Sequence, residues 1–150
     1  MPTATQTLVD SVIAISATLP TTQDDDDSTG YPAATYTPIG QVTNWTPGGR
    51  LHTLTPSNPI NKRGTDFYKA TYNNGTDNVV VNRDDDDAGQ VIVLAAEASD
   101  NDYAFSVTYQ DGTIDYFSGK AVSFITGAGD ANAIVTATLN LQRTQNTVYA

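Results

Sequence analysis

Apolar and polar residues alternate with period two over several segments of the chain, which predicts a mostly β domain. The clearest segments are residues 103–125, which turn back at Gln110-Asp111-Gly112, and residues 134–141, the last predicted strand. Earlier strands are predicted at residues 8–19, 36–45, 66–73 and 79–81. The strand-favouring residues Thr, Val, Tyr and Ile are common, whereas good helix formers are scarce.

One segment, about residues 85–99, has the 3.6-residue period of a helix. It follows a run of four aspartates, residues 84–87, and aspartate is a good N-cap whose charge complements the helix dipole. We therefore expect this run to start a single flanking helix. The apolar residues at positions i, i+3, i+4 and i+7, predicted to face the core, are Val91, Leu94, Ala95 and Ala98.

Three segments lack a regular pattern. Residues 48–64 contain two prolines and flanking glycines and are predicted to form a long loop, which is uncommon in a compact domain unless it is functional. Residues 1–7 are predicted to be a flexible N-terminal arm and residues 144–150 a C-terminal tail. The densest basic spot, Lys62-Arg63, either aids solubility or docks on an acidic neighbour. The residues of this loop that we expect to contact a neighbouring chain are Arg50, Leu51, His52, Lys62 and Arg63.

Composition narrows the possible functions. The 150 residues include 17 acidic and 7 basic side chains, a formal charge of −10, with no Cys and one His. The length suits a single domain. Without cysteine the chain can form no disulfide and no Cys-based zinc site, and with one histidine it cannot use a pair of histidines in catalysis. A protein that binds nucleic acid by neutralising phosphates would be basic. The apolar runs are too short to span a membrane. The chain has no Lys or Arg before Arg50, so we expect no signal peptide, which would begin with a basic segment. We expect a soluble protein made in a cytoplasm.

Two runs of four aspartates, residues 24–27 and 84–87, are the most conspicuous candidates for chemistry. Calcium binds several carboxylate oxygens, but adjacent side chains of an extended segment point to opposite faces and converge poorly on one ion. The only histidine, His52, is not accompanied by a nucleophile motif. The sequence therefore predicts no enzyme, no catalytic residue, no cofactor and no metal site.

Five segments together resemble the tail tube proteins of long-tailed, siphovirus-type bacteriophages. They are residues 14–20, 30–43, 72–75, 83–90 and 107–113. The segment 107–113 and the residues after it are similar to the late strand pair of that family. Those residues are Phe117, Gly119, Val122 and Phe124. The resemblance depends on order and spacing and spans about residues 8–142.

The resemblance implies a β-sandwich or partly closed barrel with one flanking helix, in a single domain over residues 1–150. It also implies hexameric rings, stacked into a virion tail tube that conducts DNA into the host without binding it specifically. The implied partners are further copies of the chain, a tape measure protein, a tail terminator and distal tail or baseplate proteins. Assembly would take place in the cytoplasm of the bacterial host.

Alternation in the last strand then predicts which side chains line the tube. Val135, Ala137, Leu139 and Leu141 would pack inside the subunit, so the opposite set would face the lumen. The predicted lumen residues are Thr136, Thr138 and Asn140, with Thr113 and Asp115 from the preceding hairpin. The alternative function is a monomeric, calcium-dependent β-sandwich binding module that uses one of the aspartate runs.

Overall fold

A computed structural model describes residues 2 and 4–150. It is 43% strand and 9% helical, which confirms the predicted mainly β class. The strands are β1 (Val12–Ser16), β2 (Thr37–Pro38), β3 (Val42–Thr46), β4 (Leu51–Ser57), β5 (Asp66–Asn73), β6 (Thr76–Asn82), β7 (Tyr103–Thr108), β8 (Ile114–Gly127), β9 (Thr136–Arg143) and β10 (Val148–Tyr149). The helix α1 is Ala88–Glu97, and a short 3₁₀ turn occupies Tyr31–Ala33. Within the described residues no helix is long and apolar enough to cross a membrane.

The main sheet is antiparallel and has the order β2-β1-β7-β8-β9-β6-β3, with β10 paired to β8. The 14-residue strand β8 joins its two halves, because residues 114–119 pair with β7 and residues 119–127 pair with β9. Both halves supply side chains to one core, in which the rings of Phe105 and Phe117 stack 5.5 Å apart. The sheet is therefore folded around its own apolar face, as in a sandwich or partly closed barrel.

The outer face of the first half of the sheet is covered by a second apolar cluster. Tyr31 and Ala104 are fully buried there, and the Tyr31 ring stacks on Tyr116 at 5.6 Å. The hydroxyl of Tyr36 donates to the backbone oxygen of Tyr31, and burial raises the pKa of all three tyrosines. The segment between β1 and β2 thus closes this face of the sheet.

The helix follows the second aspartate run as predicted but is shorter at both ends, Ala88–Glu97 rather than about 85–99. Asp87 is its N-cap, and its Oδ2 accepts hydrogen bonds from the backbone N–H groups of Gln90 and Gly40, both at 3.0 Å. The last carboxylate of the second aspartate run therefore satisfies a backbone donor of the first helical turn and ties the helix to the residues before β3.

The predicted core face of the helix is wrong in the subunit. Val91 and Leu94 are 52% and 51% exposed, and Ala95 and Ala98 are exposed as well. The helix instead buries Gly89, Gln90, Val93 and Ala96.

Two contacts select the buried face. A Cβ on Gly89 would lie 2.2 Å from the backbone oxygen of Pro38, so only glycine allows this close approach. The side-chain amide of Gln90 donates to the backbone oxygens of Gly40 and Asn82. Gly89, Ile92, Val93 and Ala96 have the same i, i+3, i+4, i+7 spacing as the predicted set, so periodicity in a largely apolar helix does not distinguish the two faces.

Substitutions on the two faces of α1 should have unequal effects on stability. Val93→Ala should lower the free energy of unfolding by about 2 kcal/mol, since it removes buried methyl groups and leaves a cavity. Leu94→Ala should cost less than about 1 kcal/mol, because half of that side chain is already in water. Urea unfolding of the unassembled subunit measures both values. A larger cost for Leu94→Ala would restore the face predicted from periodicity.

Candidate assembly surfaces

The segment predicted to be a long loop, residues 48–64, contains a strand. β4 pairs with β5 from Leu51 opposite Asn73 to Ser57 opposite Asp66, and this two-stranded hairpin forms no ladder with the main sheet. The alternation that would have revealed β4 is interrupted by a β-bulge after His52. It is also weak because neither face of the hairpin is buried, and alternation arises where only one face is buried.

The hairpin exposes many large apolar side chains. An isolated two-stranded hairpin is only marginally stable in water. Here Leu51 is 74% exposed. The others are Leu54, Ile60, Phe67, Tyr68 and Tyr72. Patches of this kind mark surfaces that associate with another molecule.

The five residues predicted for loop contacts all lie on this hairpin, at two places. At its base the guanidinium of Arg50 lies 4.1 Å from the Tyr72 ring centroid, and the edge of the His52 ring approaches the same tyrosine. Leu51 is beside them at the start of β4. At the tip Lys62 forms an ion pair with Asp66, and Arg63 is exposed. Their contacts with another subunit stay a prediction.

A buried ion pair fixes one side of the hairpin base. Nε and Nη2 of Arg143 donate to Oδ1 and Oδ2 of Asp77 at 2.6 and 3.0 Å, and the two side chains are 2% and 0% exposed. The same carboxylate accepts from the Gly48 backbone N–H at 2.9 Å and from Trp45 Nε1 at 3.1 Å. The guanidinium also lies 4.1 Å from the Phe117 ring centroid. One carboxylate therefore joins β6, β9, β3 and the start of the hairpin.

The other side of the hairpin base is fixed by amides. Gly75 has a φ of +94° and approaches the backbone oxygen of Gly49, where a Cβ would lie 2.5 Å away. Nε2 of Gln142 donates to Asn73 Oδ1 and to the Gly75 backbone oxygen, both at 3.0 Å. Nδ2 of Asn74 donates to the Thr144 backbone oxygen. The hairpin is thus held in one direction relative to the main sheet.

Sequence reasoning missed Asp77 and Arg143, although the sequence contains a signal for the second. Arg143 continues the buried alternation of the last strand, Ala137, Leu139 and Leu141, by one more step. A charge on a buried face requires a buried partner of opposite sign. Asp77 has the matching position in β6, because it pairs with Leu141 on the same face.

Four strands, β3, β6, β9 and the second half of β8, form a unit with one open face. The register places Thr138 between Val80 and Ile125, and Asn140 between Asn78 and Ser123. The members of this face are uncharged: Asn44, Thr46, Thr76, Asn78, Val80, Asn82, Ser123, Ile125, Thr136, Thr138, Asn140 and Gln142. Lys120 lies at its end and forms an ion pair with Asp102.

Two of the predicted lumen residues do not belong to this face. Thr113 lies in the turn before β8, where its hydroxyl donates to Asp111 Oδ1 at 2.7 Å. Asp115 is 7% exposed in the first half of β8 and accepts from the Tyr109 hydroxyl at 2.8 Å. Burial, together with this hydrogen bond, raises the pKa of Tyr109. The prediction for Asp115 is wrong, because its side chain lies on the core face of β8, on the same side as Phe117 and opposite the buried Val107.

The four-stranded unit has two unpaired edges among the described residues. β3 pairs only with β6, and residues 120–127 of β8 pair only with β9. Unpaired edges are templates for strand pairing with another chain unless charges or prolines block them. β3 contains neither, and its sequence is Val-Thr-Asn-Trp-Thr.

The aspartate runs serve local backbone groups. Oδ1 of Asp26 accepts from the Ser28 hydroxyl and backbone N–H, and these hydrogen bonds lower the pKa of Asp26. Oδ1 of Asp84 accepts from the Asp86 N–H, and Asp85 forms an ion pair with Arg83. In the part of the chain that the structure describes, no three acidic or histidine side chains converge on one point.

Comparison with solved structures identifies the class of fold, which is that of phage tail tube proteins. The chain is similar to the SPP1 tail tube, with a TM-score of 0.60 and 13% identity over 94% of this chain and 77% of that one. It is also similar to the tail of an empty gene transfer agent particle with C6 symmetry, with a TM-score of 0.68 and 12% identity over 97% and 99%. A third similar structure is the six-fold symmetrised baseplate of the anti-feeding prophage, with a TM-score of 0.66 and 10% identity over 100% and 97%. No family model and no curated protein sequence matches the chain.

Breaking the buried ion pair should destabilise the subunit far more than breaking an exposed one. Asp77→Ala leaves a guanidinium buried without its partner and should cost about 3–5 kcal/mol of unfolding free energy. Asp66→Ala removes the partner of Lys62 on the exposed hairpin and should cost less than about 1 kcal/mol. Urea unfolding of both variants gives the comparison. Equal costs would mean that Asp77 does not hold the hairpin base together.

Proposed function

We propose that the chain is the structural subunit of a virion tail tube, in which six copies form a ring and rings stack into a channel for DNA. The observation that carries the proposal is the four-stranded unit with an uncharged open face and two unpaired edges. The tail tube fold and the six-fold symmetry of two similar structures support it. No enzymatic step is part of this function.

Edge-to-edge pairing closes the ring. The β3 edge of one copy pairs with the second half of β8 in the next, which is a head-to-tail contact that closes by rotation. Six units of four strands give about 24 strands; at about 4.8 Å spacing and about 40° tilt, the circumference is about 150 Å and the backbone diameter about 48 Å. After subtraction of side chains about 35–40 Å remains, which admits a DNA duplex.

The uncharged face lines the channel. Thr136, Thr138 and Asn140 offer hydroxyl and amide groups that interact weakly with phosphate. DNA would find no rows of cations against which to release its counterions, so it passes without being retained.

The hairpin provides contacts between stacked rings, as its exposed apolar residues require a partner surface. Other tail proteins, including a tape measure protein, a tail terminator and baseplate proteins, would meet the tube inside and at its ends. The subunit would be assembled in the cytoplasm of the host and reside in the virion tail.

Removing the hairpin should separate folding from assembly. Deleting residues 51–72 and joining Arg50 to Asn73 through two glycines removes no buried residue, while Asp77 and Arg143 stay in place. The variant should keep the circular dichroism spectrum and melting temperature of a folded monomer but form no tubes by electron microscopy. Tubes of normal length from this variant would contradict a stacking role for the hairpin.

Lysines on the open face should make the channel retain DNA. Thr136→Lys with Thr138→Lys should permit assembly but cause tubes to hold duplex DNA at low salt and release it at high salt. The matched control, Thr18→Lys with Thr21→Lys, places the same charges on exposed residues of the segment after β1. Sedimentation of tubes with labelled DNA at several salt concentrations measures retention. Equal retention by both variants would show that the open face does not line the channel.

A further inference from the structure

Charge is strongly segregated between the hairpin and the rest of the subunit. Residues 50–73 contain four of the seven basic residues and one of the 17 acidic residues, a net charge of +3, which leaves −13 on the remainder. The basic residues accompany the exposed apolar ones on the same hairpin. They are Arg50, Lys62, Arg63 and Lys69. The hairpin therefore carries a net charge of opposite sign to that of the rest of the chain.

The opposite end of the four-stranded unit has complementary properties. β6 starts at Thr76, beside the hairpin base, and ends about 20 Å away at Asn82, which Arg83 separates from the aspartates at 84–87. The β8–β9 connection reaches the same end, because Gly127, Thr136 and Asn82 are paired across the three strands. This end, which we call the acidic end, is not only charged. It exposes Asp84, Asp85, Asp86 and Asp130, together with Arg83, which pairs with Asp85, and the apolar side chains of Ile134 and Val135.

Building on the proposed tail tube function, we propose that the basic hairpin of one copy docks on the acidic end of a copy in the adjacent ring. The two surfaces lie at opposite ends of the same strands, so a translation along the tube brings them together. Such a head-to-tail contact does not close and therefore propagates as a stack.

The two kinds of side chain have different roles in this contact. Exposed ion pairs contribute little each, so the apolar groups of the hairpin supply most of the contact energy. The charges select the orientation, because two acidic ends facing each other would repel. All rings of a stack would therefore point in the same direction, and stacking would weaken as salt screens the charges.

Charge reversal on each surface, separately and together, tests the contact. Arg63→Glu with Lys69→Glu reverses the hairpin and leaves the Lys62–Asp66 pair intact. Asp85→Lys with Asp86→Lys changes the summed charge of Arg83 and the four aspartates of the acidic end from −3 to +1. It removes the Arg83–Asp85 pair and leaves the Asp87 N-cap intact. Each pair should raise the concentration needed for tube formation by about tenfold or more at low salt. The four substitutions together restore complementarity, so that concentration should return to within about threefold of the unmodified protein.

A matched control uses the other aspartate run. Asp25→Lys with Asp27→Lys introduces the same charges in the loop before Tyr31, which packs against the first half of β8, away from the acidic end. It should leave tube formation unchanged. Circular dichroism of each variant checks folding. If a charge reversal unfolds the protein, the neutral variants Arg63→Gln with Lys69→Gln, or Asp85→Asn with Asp86→Asn, take its place. Each neutral pair should weaken assembly at low salt.

The possible results separate this inference from the function on which it rests. If the unmodified protein forms tubes but the single reversals assemble equally well, or the combined variant is no better than either, the hairpin does not dock on the acidic end. An unmodified protein that forms no tubes would contradict the proposed function itself.

Discussion

The buried pair of Asp77 and Arg143 is the interaction on which the arrangement of the surfaces depends. Burying two charges is costly, and the cost is offset here because the carboxylate accepts four hydrogen bonds and the guanidinium stacks on Phe117. Two of those bonds come from Trp45 and Gly48, at the end of β3 and the start of the hairpin. The pair thereby couples the direction of the projecting hairpin to the strands of the open sheet.

The long strand β8 explains why one sheet presents two different outer faces. Over its first half the outer face is closed by the tyrosine cluster around Tyr31 and Tyr116, and over its second half the outer face is open. Within residues 4–150 the open half also has an unpaired edge on each side. A monomeric β protein would protect such edges with charges or prolines. Their absence on β3 is consistent with an element completed by another copy of the chain.

Strands and helix ends could be predicted from the sequence where one physical effect dominates. One-sided burial produced the alternation in the last strand, and the preference of aspartate for N-caps located the start of the helix. Prediction failed where burial is two-sided or absent. The helix is apolar on both faces, so the close approach of Gly89 to Pro38 and the hydrogen bonds of Gln90 decide which one is buried. β4 is exposed on both faces and interrupted by a β-bulge, so it left no regular alternation. Asp115 lies on the core face of β8, opposite the buried Val107, and its charge gave no sign of this burial.

In the proposed assembly, copies of the chain join through the edges of the four-stranded unit into a closed ring. Cryo-electron microscopy of tubes formed by the purified protein tests it most directly. We expect six subunits per ring and one continuous inner wall, in which β3 of each subunit forms backbone hydrogen bonds with residues 120–127 of its neighbour. A tube in which the β3 edge stays unpaired, or in which the uncharged face points outward, would contradict it.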